Sequence, residues 1–180
     1  MRSKDETFLY ELAVALQAVG LEAIVVGNMA SILNGAPVLT QDVDLLVRDT
    51  PLNRRKLKRL ATALGGSGPL PITGLTSTER IYGADLPIDI IYDGLSGNLK
   101  FASIKSRAHL EPMGSTTLLV AGLADVIKSK TAAARPKDKA VLPILHDTLR
   151  TRQEAGLEKF RTAVRKAVTE HVVERPRKRR

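Results

Sequence analysis

Three carboxylates carry the chemistry this sequence could perform. Asp42-Val43-Asp44 sets two acids two residues apart at the head of a run, 42–47, that alternates and then turns apolar, as a strand does. Residues two apart on a strand share a face. Two carboxylates held that close repel unless a cation sits between them. Magnesium suits the place, because it prefers oxygen ligands and is commonly held by one or two carboxylates plus substrate phosphates; manganese is the alternative occupant. A third acid, Asp89, lies among Pro87, Ile88, Ile90 and Ile91 in a second strand-like run, 86–92. A charge in so apolar a setting needs a compensating partner. If the two strands pair, Asp89 joins Asp42 and Asp44 as a metal ligand, and three carboxylates can hold two metals, one for an attacking oxygen and one for a triphosphate. The plainer alternatives are a solvated face for Asp42 and Asp44 and an arginine partner for Asp89.

The segment upstream favours the site. Val25-Val26-Gly27-Asn28 precedes the acid pair by a short helix and a turn. A glycine there lets backbone approach a phosphate, and amides at the start of the following helix can receive it. A phosphate site and a metal site would then face one cleft.

The elements that position these groups follow from periodicity. Phe8, Leu9, Leu12, Leu16 and Val19 give a helix over 5–19, closed by Gly20. A buried strand is expected over 23–26, a short helix over 29–34, the Asp42 strand over 42–47, and a helix from 49–51 to 64 with Leu57, Leu60, Ala61 and Leu64 inward. Residues 65–78, rich in Gly, Ser, Thr and Pro, read as a loop. After the 86–92 strand and a turn at 94–97, residues 99–121 hold one or two strands, including 117–120. Three helices are expected at 122–134, 137–152 and 155–173. Early alternation and late helices predict an α/β (α+β) fold: a palm with a mixed sheet over 1–121, a helical part packed on it over 122–174, and a basic tail at 175–180.

Charge follows the same division. Of the formal net charge of +9, residues 128–180 hold 16 Lys and Arg against 6 Asp and Glu, a net of +10, and the remainder is close to neutral. Such asymmetry fits a polyanionic partner, most simply nucleic acid, and equally fits a solubilising face. Aromatics at 3% argue against base-stacking platforms. The absence of cysteine excludes disulfides and thiolate metal sites. The acidic start of MRSKDETFLYELAV is a poor signal peptide, and no apolar run spans a bilayer, so a cytoplasmic protein without a membrane role is expected.

Val25-Val26-Gly27-Asn28, the short helix, and Asp42-Val43-Asp44-Leu45-Leu46-Val47 together resemble the signature of the DNA polymerase β-type nucleotidyltransferase superfamily. The later run from Leu123 to Lys130, followed by Arg135-Pro136-Lys137-Asp138, is similar to AbiEii-like and MenT-like nucleotidyltransferase toxins of toxin–antitoxin systems. The resemblance covers about 20–150. It implies an NTP substrate, with Gly27 and Asn28 at the triphosphate, Asp42 and Asp44 on metal, Asp89 as third acid and general-base candidate, and Lys130 and Asp138 on the nucleotide side. Arg135 and Lys137 belong to the same motif as candidate phosphate contacts. Asn28 departs from the Gly or Ser usual in the family, but it can still donate to a phosphate. The plain readings are a solvated position for Lys130, a first-turn helix acid for Asp138, and a helix-end cation for Arg135. The implied activity is transfer of an NMP to an acceptor hydroxyl, such as a tRNA 3′ end or other RNA, by a toxin with a cognate antitoxin. The alternatives are a protein or small-molecule acceptor, and a silent nucleic-acid- or antitoxin-binding module. Lys130 is expected to matter for turnover more than for stability.

Overall fold

The computed structural model describes residues 4–72 and 78–173, with side chains described over 6–72 and 78–165. The basic tail at 175–180 lies outside the described residues. A seven-stranded mixed sheet forms the centre, in the order β3-β4-β5-β2-β1-β9-β8. Its middle is made by the most apolar runs: β1 (Ile24–Val26), β2 (Val43–Val47) and β5 (Ile88–Tyr92). β2 runs antiparallel to β1 and parallel to β5, beside which the sequence expected it. On β2 every residue is buried except Asp44, so the strand is covered on both faces apart from that one position.

α1 (Lys4–Val19) and α3 (Pro51–Ala63) pack on each other and reach the sheet at β9 (Thr116–Val120) and β3 (Ser67–Pro71). α3 begins as its sequence predicts: Pro51 takes the first turn, and the Thr50 hydroxyl accepts the Asn53 N–H at 3.1 Å. α2 (Gly27–Leu33) touches β1, β2 and α5 (Leu123–Ala133), and α5 packs along α6 (Pro136–Val173). Asn34, just past α2, accepts a 2.6 Å hydrogen bond from Arg152 and so ties α6 back to the phosphate-facing helix.

The structure departs from the sequence expectation in three places. The 65–78 loop contains β3, which forms a hairpin with β4 (Thr78–Tyr82). Ser67-Gly68-Pro69-Leu70-Pro71 shows no apolar alternation because β3 is an edge strand, the one place where proline is tolerated in a sheet. The expected turn at 94–97 opens a small ribbon of β6 (Gly94–Leu95) and β7 (Leu99–Lys100), and the 99–121 region then holds α4 (Phe101–Lys105) and the β8 (His109–Met113) and β9 hairpin. The two last helices are one. α6 runs unbroken through the expected gap at 153–154, where Gln153 and Glu154 are ordinary helix residues, and it tolerates both Pro143 and the lone Gly156, which costs only about 1 kcal/mol.

Residues 153–165 of α6 are exposed on every side. Gly156→Ala should therefore raise the helical circular-dichroism signal and its thermal persistence, by up to about 1 kcal/mol of local stability. A true break at Gly156 would leave the signal unchanged or lower it.

Candidate active site

The site is a row across four adjacent strands or their ends. Val26 pairs with Asp44, Asp44 with Asp89, and Asp89 with Arg80 on β4. Partners in register share a face, so the sheet places the two acids side by side and sets a guanidinium beyond them. Asp42 stands just ahead of β2, and its Oδ1 accepts the Thr40 hydroxyl at 2.9 Å.

The two strand acids differ in their company. Both oxygens of Asp89 are engaged by Arg80, through Nε and, at 2.8 Å, through Nη2. The same Nη2 lies 3.7 Å from Asp42. The Asp44 carboxylate takes no hydrogen bond or ion pair from any described residue. Burial, then the negative charges of Asp42 and Asp89, push its pKa up to about 7, while Lys130 and Lys137 pull it down. Asp44 is thus a carboxylate short of positive charge, and a cation is what it lacks.

Gly27 completes the wall. It sits directly after Val26 with φ +64°, and a Cβ built there would run into the Asp44 carboxylate. Any other residue at 27 would strain the backbone and displace the acid. Asn28 next to it donates from Nδ2 to the Leu39 carbonyl at 3.2 Å, and its Oδ1 is buried with no partner. An orphaned polar atom beside an unpaired acid marks a place where a ligand or ion completes the hydrogen bonding.

The later motif arrives from the opposite side. α5 ends at Ala134 in the left-handed region (φ +52°), which turns the chain so that α6 starts at Pro136. Asp138, fully buried in the first turn of α6, accepts Lys130 Nζ at 3.1 Å and the Arg135 Nε. Burial alone would raise the Asp138 pKa; the hydrogen bonds from Arg135 and Lys130 outweigh it and hold the acid below the ordinary carboxylate range. Asp138 therefore positions two cations rather than reaching into the cleft. Lys130 is 9% exposed and paired with Asp138, not a solvated helix position. Arg135 and Lys137 remain exposed.

The structure thus gathers Asp42, Asp44, Asp89, Gly27, Asn28, Lys130 and Lys137 at one site and puts Arg135 and Asp138 behind Lys130. Among the described residues, no group of three or more His, Asp or Glu side chains is arranged to hold a metal ion. The oxygen donors of Asp42 and Asp44 suit a divalent cation by type, Asp42 also accepts from Thr40 and faces Arg80 at 3.7 Å, and Asp89 is engaged by Arg80. The sequence reading missed Arg80 itself. Its signal was the alternation Thr78, Arg80, Tyr82 against Glu79, Ile81, which marks a strand directly after the Gly- and Thr-rich loop. An open cleft of about 450 Å³ between α1 and β9, lined by Leu16, Gln17, Thr117 and Leu119, carries none of these groups.

This fold is that of nucleotidyltransferases. The solution structure of the antibiotic-resistance factor ANT(2'')-Ia matches over 97% of this chain and 100% of its own, with a TM-score of 0.59 at 14% identity. The crystal structure of ANT(2'')-Ia in complex with adenylyl-2''-tobramycin matches over 92% of this chain and 99% of its own, with a TM-score of 0.59 at 15% identity. A candidate nucleotidyltransferase from Thermotoga maritima matches over 94% and 96%, with a TM-score of 0.50 at 12% identity. No protein-family model matches the chain, and no curated protein does. No helix among the described residues is long and apolar enough to cross a membrane.

Two outcomes follow from the charges. Asp44 titrates at 3.8 in the open chain and about 7 when folded. Between those values the folded protein keeps a proton that the unfolded chain has lost. The stabilisation is full below the lower value and disappears as pH rises through the upper one. The metal-free melting temperature should thus fall between about pH 4 and 7, and Asp44→Asn should reduce that fall; equal slopes in the two proteins would contradict the assignment. Lys130→Ala leaves Asp138 buried with Arg135 alone, and should cost stability on the order of 1–3 kcal/mol in denaturant titration. Lys130→Arg should recover most of it.

Proposed function

We propose that the protein is a divalent-metal-dependent nucleotidyltransferase that moves an NMP from an NTP to an acceptor hydroxyl and releases pyrophosphate. The observation that carries this reading is the buried Asp44 carboxylate without a hydrogen bond or ion pair among the described residues, in register with Asp89, two residues from Asp42 and walled by Gly27. Asp42 and Asp44 would hold magnesium, or manganese in its place, with Asp89 as the third acid. The bound ion supplies the positive charge that gathers the triphosphate and offsets the negative charge developing at the α-phosphate. Asn28 and the backbone at Gly27 meet the phosphates. Lys137 lies exposed on the far side and neutralises them as a point charge, and Lys130, fixed by Asp138, adds its field. The acceptor hydroxyl gives its proton to a carboxylate of the row, for which Asp89 is the candidate once both its oxygens are free. In-line attack then needs little beyond positioning and charge neutralisation.

The acceptor we favour is RNA, with a tRNA 3′ end as the specific candidate and a toxin neutralised by a cognate antitoxin as the setting. The support is the exposed stretch 153–165 of α6, where Lys159, Arg161 and Arg165 continue the positive charge of Lys137 along the helix. Lys166, of the same series, has its side chain outside the described residues. A second reading, a small-molecule acceptor, is favoured by the end-to-end match to ANT(2'')-Ia, whose complex holds adenylyl-2''-tobramycin.

Incubation with each α-labelled NTP, magnesium, and either total tRNA or an aminoglycoside panel decides between them. Label in tRNA that is lost in Asp44→Ala supports the first reading; label only in a small molecule supports the second. No label in any acceptor with any NTP would count against transferase activity. Charge reversal at Lys159 and Arg161 should cut RNA labelling at least about tenfold at physiological salt while nucleotide binding holds. Unchanged labelling would remove α6 from the acceptor site.

A further inference from the structure

Arg80 has no place in the transfer chemistry, yet it makes the closest contacts in the carboxylate row. Its guanidinium takes both oxygens of Asp89 and stands 3.7 Å from Asp42, so a fixed positive charge already lies between two of the three acids. Asp44, in register with Asp89 and two residues from Asp42, receives none of it as a hydrogen bond or ion pair. We propose that Arg80 is a built-in competitor for the cation site. While it holds Asp89 and stands beside Asp42, Asp44 alone is clear of it, and the three-carboxylate site forms when Arg80 leaves. The identity of the ion rests on the nucleotidyltransferase reading; the competition itself is a matter of binding.

The ion pair is not needed to join the strands. β4 and β5 are held by a backbone ladder from Thr78–Ile91 to Ile81–Ile88. A desolvated ion pair adds little net stability beyond such a ladder, because the cost of removing both charges from water offsets their attraction. Arg80 can also move. Its side chain is 28% exposed against 12% for Asp89, so the guanidinium is the solvent-facing partner. An incoming triphosphate presents paired oxygens of the same bidentate geometry as a carboxylate. Nucleotide arrival would then draw Arg80 to phosphate and free Asp89 in one event, which couples completion of the metal site to the presence of substrate.

The test is Mn²⁺ binding without nucleotide, followed by electron paramagnetic resonance on wild type, Arg80→Gln, Arg80→Met and Arg80→Lys. Losing the positive charge should tighten Mn²⁺ binding at least about threefold in either neutral variant. Arg80→Lys, which keeps the charge, should stay near wild type. Adding Asp89→Asn to Arg80→Gln should cancel the gain. The two neutral variants guard against one that misfolds, with far-UV circular dichroism as the check. Mn²⁺ binding that depends on Asp44 but is unchanged or weaker in folded Arg80→Gln and Arg80→Met would overturn the proposal and leave the transferase reading standing. No Mn²⁺ binding in wild type or the neutral variants would overturn both.

Discussion

Like-charge crowding at Asp44 is the constraint on which the rest of this structure depends. A carboxylate at the one uncovered position of a buried strand, flanked by two more, is unfavourable in isolation. Everything near it manages that cost. Gly27 forgoes a side chain to make room. Arg80 neutralises the neighbouring Asp89, and the positive charges of Lys130 and Lys137 favour the ionised Asp44. A protein selected only for stability would place a valine at 44, like the residues around it. Keeping an acid there makes sense if something positive arrives to use it.

The fold serves this arrangement through register. β2 and β5 run parallel and in step, so Asp44 and Asp89 are neighbours, and β4 pairs antiparallel to set Arg80 opposite Asp89. A slip of one residue on any of these strands would send the acid to the other face. The surrounding apolar residues, Val43, Leu45, Leu46, Ile88 and Ile90, are fully buried and pin that register. The helical part then supplies the cations: the left-handed turn at Ala134 folds α6 back along α5, and Asp138 clamps Lys130 in a buried pair.

Much of this was legible in the sequence, for identifiable reasons. The β1, β2 and β5 runs are short, apolar and bounded by turn residues, so their existence followed from strand periodicity; Asp42, expected as the first residue of the strand, instead sits in a bend just ahead of β2. The pairing of β2 with β5 was posed as a condition, and the register meets it. What was not legible depends on tertiary context. β3 is an edge strand without alternation, and overlooking it hid β4 and with it Arg80. The burial of Lys130 could not be read from a lysine on a helix, because its partner Asp138 is eight residues away across a turn. α6 is one helix where two were expected, because Gln153 and Glu154 at the expected gap are ordinary helix formers.

The central claim is that Asp44 exists to receive a metal-bound nucleotide. Isothermal titration of a non-hydrolysable NTP analogue, with and without magnesium, into wild type and Asp44→Asn tests it most directly. The account predicts tight binding only for wild type with magnesium, and at least about tenfold weaker binding when either the metal or the carboxylate is removed. Binding of equal strength in both proteins, indifferent to magnesium, would contradict it.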